Sequence, residues 1–162
     1  MSGATVMKTL IERISTVLIR QGATLSLAES CTGGALAALF TSRAGASAYF
    51  KGGVIAYSNE IKRDLLGVEA DTLTEHGAVS CEVACRMAEG VRRICRSDYS
   101  IAVTGIAGPD GGSPDKPVGT VWIAVASSHR TVAEKLSLGD QGREKNIFAT
   151  VEKAVILLSK II

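Results

Sequence analysis

Aromatic residues are scarce in this sequence: three Phe, three Tyr and one Trp among 162 residues. A core must therefore be assembled from Ala, Val, Ile and Leu, which suits helices packed on a sheet whose strands are apolar on both faces. Charge of one sign is also missing. Eighteen basic and sixteen acidic side chains leave a formal net charge of +2, and the basic residues are scattered. That excludes the basic stripe with interleaved aromatics expected of a nucleic-acid binder. No apolar run approaches the ~20 residues of a membrane span. Residues 1–8 carry neither the apolar stretch nor the cleavage site of a secretory leader, so the expected compartment is the cytoplasm. No C-x-x-C pair occurs among Cys31, Cys81, Cys85 and Cys95. Buried thiols are expected rather than disulfides. His76 precedes Cys81 and Cys85, but one turn supplies only two thiols and His129 lies far away, short of a four-ligand structural site, so no metal is expected.

What is present reads as one domain over residues 1–162, long enough to bury a core. Residues 4–21 place Val6, Leu10, Ile14, Val17 and Leu18 at helical spacing, and Gly22 stops them. Short strands are expected at 24–28, 53–57 (a buried one) and 99–104. Helices are expected at 35–42 and 59–66, and from a Ser80 cap to about residue 96, with Val83, Met87, Val91 and Ile94 on one face. Two strands at 120–126 and 131–138 form a hairpin, followed by a helix from Arg143 to about Ser159. This order predicts an α/β sandwich with a mixed sheet.

Three strand-end segments carry candidate chemistry. Glu29-Ser30-Cys31-Thr32-Gly33-Gly34 stands where a strand hands over to a helix, a place attractive to negative charge. A hydroxyl on Ser30 or Thr32 is a candidate nucleophile, with an oxyanion site in the same turn. The same residues also suit a plain helix cap. The run is not a G-x-S-x-G elbow, and neither His76 nor His129 lies in a setting that marks a base. Lysine is the substitute: in Tyr57-Ser58-Asn59-Glu60-Ile61-Lys62 a strand again runs into a helix. Lys62 is a base only if desolvated, and is otherwise a surface lysine. The third segment, Thr104 to Gly112, is glycine-rich, follows a strand and lacks the G-K-[ST] of a phosphate loop. It is either a ligand loop or a surface connection.

Four stretches in order, LAESCTGG at 27–34, GGVIAYSNEIK at 52–62, EHGAVS at 75–80 and TGIAGPDGGSPDKPVGTVWIA at 104–124, resemble the CinA C-terminal domain family. Its stand-alone members are nicotinamide-nucleotide amidases, the type this chain is expected to represent. The resemblance implies a three-layer α/β/α sandwich with a mixed, mostly parallel sheet and a C-terminal hairpin. It implies hydrolysis of the carboxamide of nicotinamide mononucleotide to nicotinic acid mononucleotide and ammonia, with no cofactor. Ser30 would attack, Lys62 would take its proton and Tyr57 would assist. Glu29, Thr32, Gly33, Gly34, Asn59, Thr104, Gly105, Gly108 and Arg143 would contact substrate, with backbone amides near 32–34 stabilising the oxyanion.

One departure stands out. The family reads Gly-Asp-Arg after the last strand, with another arginine about a turn later. Here Gly139-Asp140-Gln141-Gly142-Arg143 puts Ile147 at the second position, so affinity for the mononucleotide is the property this change bears on. The alternative reading keeps the fold as a nucleotide-binding or competence/damage-inducible regulatory protein with little catalysis. The last helix is apolar on more than one face, with Ile156 and Leu157 beside Val155 and Leu158, which predicts a homo-oligomer.

Overall fold

The computed structural model describes residues 2–162. In chain order the elements are α1 (Gly3–Gln21), β1 (Leu25–Glu29), α2 (Ala35–Thr41), a single 3-10 turn at Ala46–Ala48, β2 (Phe50–Ile55) and α3 (Asn59–Asp64). There follow α4 (Ala70–His76), α5 (Cys81–Cys95), β3 (Tyr99–Gly105), β4 (Thr120–Ala126), β5 (Thr131–Ser137) and α6 (Arg143–Ser159).

Side-chain alternation along the central strands sets the layers. Leu25 and Leu27, Ile101 and Val103, and Val121, Ile123 and Val125 face one way and pack with buried residues of α1, α2 and α6. Ala28, Ala102, Ala124 and Ala126 face the other way, against Val83, Ala84, Met87, Ala88 and Val91 of α5. The period of two puts bulky aliphatics on one face and small residues on the other. Small residues let α5 lie close to the sheet. The outcome is the expected three-layer α/β/α sandwich.

The sheet order is β2-β1-β3-β4-β5. β1 pairs in parallel with β2 and β3, whereas β3–β4 and β4–β5 are antiparallel. Four strands therefore point one way, and β4 alone runs against them. The C-terminal ends of β1, β2, β3 and β5 lie at one edge, which is where open α/β sheets present ligand-binding loops.

Some local expectations shift. β2 begins and ends earlier than 53–57 and alternates half-buried with exposed residues, because it is an edge strand rather than a buried one. The buried stripe of α1 is Met7, Ile11, Ile14 and Leu18, and Val6 is exposed, one residue off that stripe. Ile94 is likewise exposed at the end of α5. All four cysteines are free; Cys31 is buried and the others are half-buried. Among the described residues no group of three or more His, Cys, Asp or Glu could hold a metal ion. No described helix is long and apolar enough to cross a membrane.

Candidate active site

Ser30 follows β1 directly, and its amide donates to Val103 O of β3, so the sheet ladder fixes its position. The chain then turns: Gly33 N donates to Ser30 O, and Gly34, at φ +107°, leads into α2. A side chain at Gly34 would be strained by that dihedral and would meet Ile55 Cδ1 at 3.3 Å.

Beneath this turn lies Glu29, 1% exposed. Its carboxylate accepts from Thr32 Oγ1 at 2.7 Å, Leu36 N at 2.8 Å and Ala37 N at 3.0 Å. Two of the amides that the start of α2 would otherwise leave unpaired are thus satisfied from below. The amides of Cys31, Thr32 and Gly34 donate to no acceptor among the described residues. Two of these free amides, those of Cys31 and Thr32, directly follow Ser30, and the third, of Gly34, caps α2.

Lys62 comes from α3, which Ser58 caps by accepting from Ile61 N. It is the one buried residue of that helix, 1% exposed. Its Nζ lies 3.0 Å from Ser30 Oγ, 2.8 Å from Ala56 O and 3.4 Å from Tyr57 O. Burial pushes the Lys62 pKa below the ordinary lysine range, with no carboxylate beside it to restore the charge. The neighbouring Cys31 responds in the opposite sense: burial raises its thiol to about 11, so it stays protonated and is a poor nucleophile. Ser30 and Lys62 form a buried hydrogen-bonded pair.

Ser30 and Lys62 open onto a cavity of about 270 Å3 that is also lined by Tyr57, Asn59, Thr104, Gly105, Gly108 and Arg143. Arg143 donates to Tyr57 Oη and to Gly108 O, both at 2.8 Å, and so ties the β2–α3 junction to the glycine-rich loop. The Tyr57 ring is 60% exposed at the mouth, and its hydroxyl faces Arg143. Thr104 lines the wall, but its hydroxyl is engaged with Ala78 O at 2.8 Å. Lys116, near the far end of the loop, donates to His76 O at 2.6 Å. The EHGAVS stretch thus anchors the loop and supplies Ala78 and Val79 to the wall.

The three sequence segments do converge. Glu29, Thr32, Gly33 and Gly34 do not line the cavity; Glu29 and Thr32 spend their side chains on each other and on α2. They lie in the turn behind Ser30. Ile147 also lies away from the cleft, half-buried beside α1 and α2.

One residue escaped the sequence reading. Asn146 is fully buried and donates from Nδ2 to Ala107 O at 3.1 Å and to Gly139 O at 3.0 Å. It pins the glycine-rich loop to the segment before α6, while its Oδ1 has no partner. The available signal was a polar side chain on the apolar face of that helix.

The chain is similar to known proteins in sequence and in fold. The model of the CinA C-terminal domain matches residues 7–162. A CinA-like protein of Synechococcus sp. (strain CC9311) is 58% identical over 124 residues, covering 76% of this chain and 29% of that protein. The nicotinamide-nucleotide amidohydrolase PncC of Escherichia coli (strain K12) is 50% identical over 119 residues, 74% of this chain and 72% of that protein. The crystal structure of the competence/damage inducible protein CihA from Agrobacterium tumefaciens superposes with a TM-score of 0.92 at 43% identity, covering 94% of this chain and 93% of that one. This chain spans about a third of the length of several curated relatives it matches.

Proposed function

The chain belongs to the CinA C-terminal domain family, and on that premise we propose that it is an amidohydrolase. Its substrate is nicotinamide mononucleotide, cleaved to nicotinic acid mononucleotide and ammonia by a serine–lysine pair. The observation that carries the reading is the buried Lys62 Nζ at 3.0 Å from Ser30 Oγ, in a chain 50% identical to a protein described as a nicotinamide-nucleotide amidohydrolase.

A neutral amine has two hydrogens and one lone pair. The carbonyls of Ala56 and Tyr57 only accept, so they take the two N–H groups of Lys62. The lone pair is left for the hydroxyl of Ser30, which donates to it. Desolvation favours that neutral form.

Ser30 Oγ attacks the carboxamide carbon while its proton passes to Nζ. The oxyanion that forms is met by the unpaired amide of Cys31, which lines the cavity beside Ser30. Collapse expels ammonia, which takes the proton from the Lys62 ammonium, and an ester to Ser30 remains. Lys62, neutral again, takes a proton from water as the water attacks the ester. The tetrahedral adduct releases the carboxylic acid, which gives its proton to the freed ammonia or to water, and Ser30 recovers its proton from Lys62. Arg143 has N–H donors beyond the two engaged on Gly108 and Tyr57, and these suit the substrate's anionic phosphate.

Product analysis on nicotinamide mononucleotide is the test, with nicotinic acid mononucleotide and ammonia expected one to one. Binding seen by calorimetry without either product would replace the amidase with a nucleotide-binding module.

A further inference from the structure

Two oppositely charged side chains line the Ser30–Lys62 cavity without meeting each other. Arg143 gives N–H groups to neutral acceptors, Gly108 O and Tyr57 Oη. Asp110 lines the same cavity, and among the described residues its carboxylate takes part in no ion pair.

A loop aspartate ordinarily faces water and does nothing else. Here the loop is held fast on either side of it. Before Asp110, the carbonyl of Ala107 is held by Asn146 and that of Gly108 by Arg143. After it, Gly112 packs so closely on Val118 that a Cβ there would come to 2.8 Å from the Val118 amide nitrogen. Ser113 N then donates to Lys116 O at 2.9 Å. The carboxylate is carried at a fixed place, so little ordering remains to be done when a ligand binds.

The neighbouring charges locate it along the cavity. The charged side chains that act on the Cys31 thiol are Arg143, Glu29 and Lys62, and no carboxylate acts on Lys62. Asp110 therefore stands away from the reacting end, two residues past the carbonyl that Arg143 holds. With the carboxamide at Ser30 and the phosphate at Arg143, as proposed for nicotinamide mononucleotide, the ribose falls between them. An anionic acceptor beside a bound phosphate is repelled unless it faces a hydrogen-bond donor. Vicinal ribose hydroxyls are such donors, and the two oxygens of a carboxylate accept from both, the contact by which acidic residues hold ribose in dinucleotide folds.

We propose that Asp110 binds the 2′- and 3′-hydroxyls of the substrate ribose and selects ribonucleotides over 2′-deoxyribonucleotides, an assignment that rests on the mononucleotide reading of the cavity.

Calorimetry on Ser30→Ala, in which the ligand is not consumed, tests it. Kd is measured for nicotinamide mononucleotide and for its 2′-deoxy analogue, in Ser30→Ala and in Ser30→Ala carrying Asp110→Ala. With Asp110 in place the ribonucleotide should bind at least about 10-fold more tightly, the worth of one hydrogen bond to a charged acceptor. Asp110→Ala should bring the two ligands within about twofold of each other, chiefly by weakening the ribonucleotide. A ribose preference that survives Asp110→Ala would overturn the assignment, including the case in which both ligands weaken equally because the carboxylate meets the charge of the pyridinium ring. Equal affinity for the two ligands with Asp110 in place would overturn it too. Either result leaves the amidase standing if wild type still hydrolyses nicotinamide mononucleotide. Binding of neither ligand, with no hydrolysis by wild type, would overturn the mononucleotide reading and the assignment with it.

Discussion

Glutamine in place of Glu29 keeps the outline of the side chain and removes its charge, which isolates what the carboxylate does for the turn carrying Ser30. The native group accepts three hydrogen bonds, from Thr32 Oγ1, Leu36 N and Ala37 N. An amide has one acceptor oxygen, which retains two of these donors at most. Its –NH2 end is then left facing an N–H at the start of α2, donor against donor. Hydrogen bonds to a charged acceptor are worth about 1.5–3 kcal/mol. The lost attraction between a carboxylate and the helix start adds about 1 kcal/mol for a helix this short. The expected loss is about 3 kcal/mol. For a domain of this size each kcal/mol moves the midpoint by roughly 2–4 °C, so Tm should fall by about 6–12 °C. Thermal unfolding followed by circular dichroism, wild type beside Glu29→Gln, reads this directly. A fall of less than about 2 °C would refute the view that Glu29 holds the turn from beneath.

Other expectations concern the base, the packing of α5 and the loop anchor. Lys62 accepts a proton only when neutral, and burial lowers its pKa from the ordinary 10.5. kcat/KM should therefore rise with pH along a limb centred below that value, and a flat profile over this range contradicts the base role. The same shift ties stability to pH: between the folded and unfolded pKa values the unfolded chain binds more protons, so stability rises with pH across that window. Gly90→Ala would put a Cβ 2.0 Å from Leu66 O. The obstacle is backbone, so a loss of about 3 kcal/mol is expected in urea denaturation. Asn146→Leu leaves Ala107 O and Gly139 O without their donor. It should cost about 2 kcal/mol and raise KM more than it lowers kcat, because the loop it holds lines the substrate cavity.

Much of this site could be read before the fold was seen, because strand ends and glycine punctuation leave a local record. Ser30, Tyr57 and Lys62 follow strands and Thr104 lies near the end of one, all with apolar runs plain in the sequence, and parallel pairing of β1 with β2 and β3 brings those ends together. The roles of individual side chains were less legible. Glu29 and Ser30 are adjacent, and nothing in their spacing tells that one serves the helix and the other the cleft. Only the return of the chain, which brings Leu36 N and Ala37 N onto the carboxylate, decides it. Lys62 has the pattern of a surface lysine on a short polar helix; its burial comes from Ala56, Tyr57 and Ser30, supplied from elsewhere in the chain. The helix α4 left no periodic signal because none of its residues is buried.

The serine–lysine pair is tested most directly by ammonia release from nicotinamide mononucleotide, with wild type, Ser30→Ala and Lys62→Ala measured side by side and the fold of each checked by circular dichroism. Turnover in wild type and its loss in both folded variants is the predicted result. Full activity in folded Ser30→Ala, or in folded Lys62→Ala, would contradict the account.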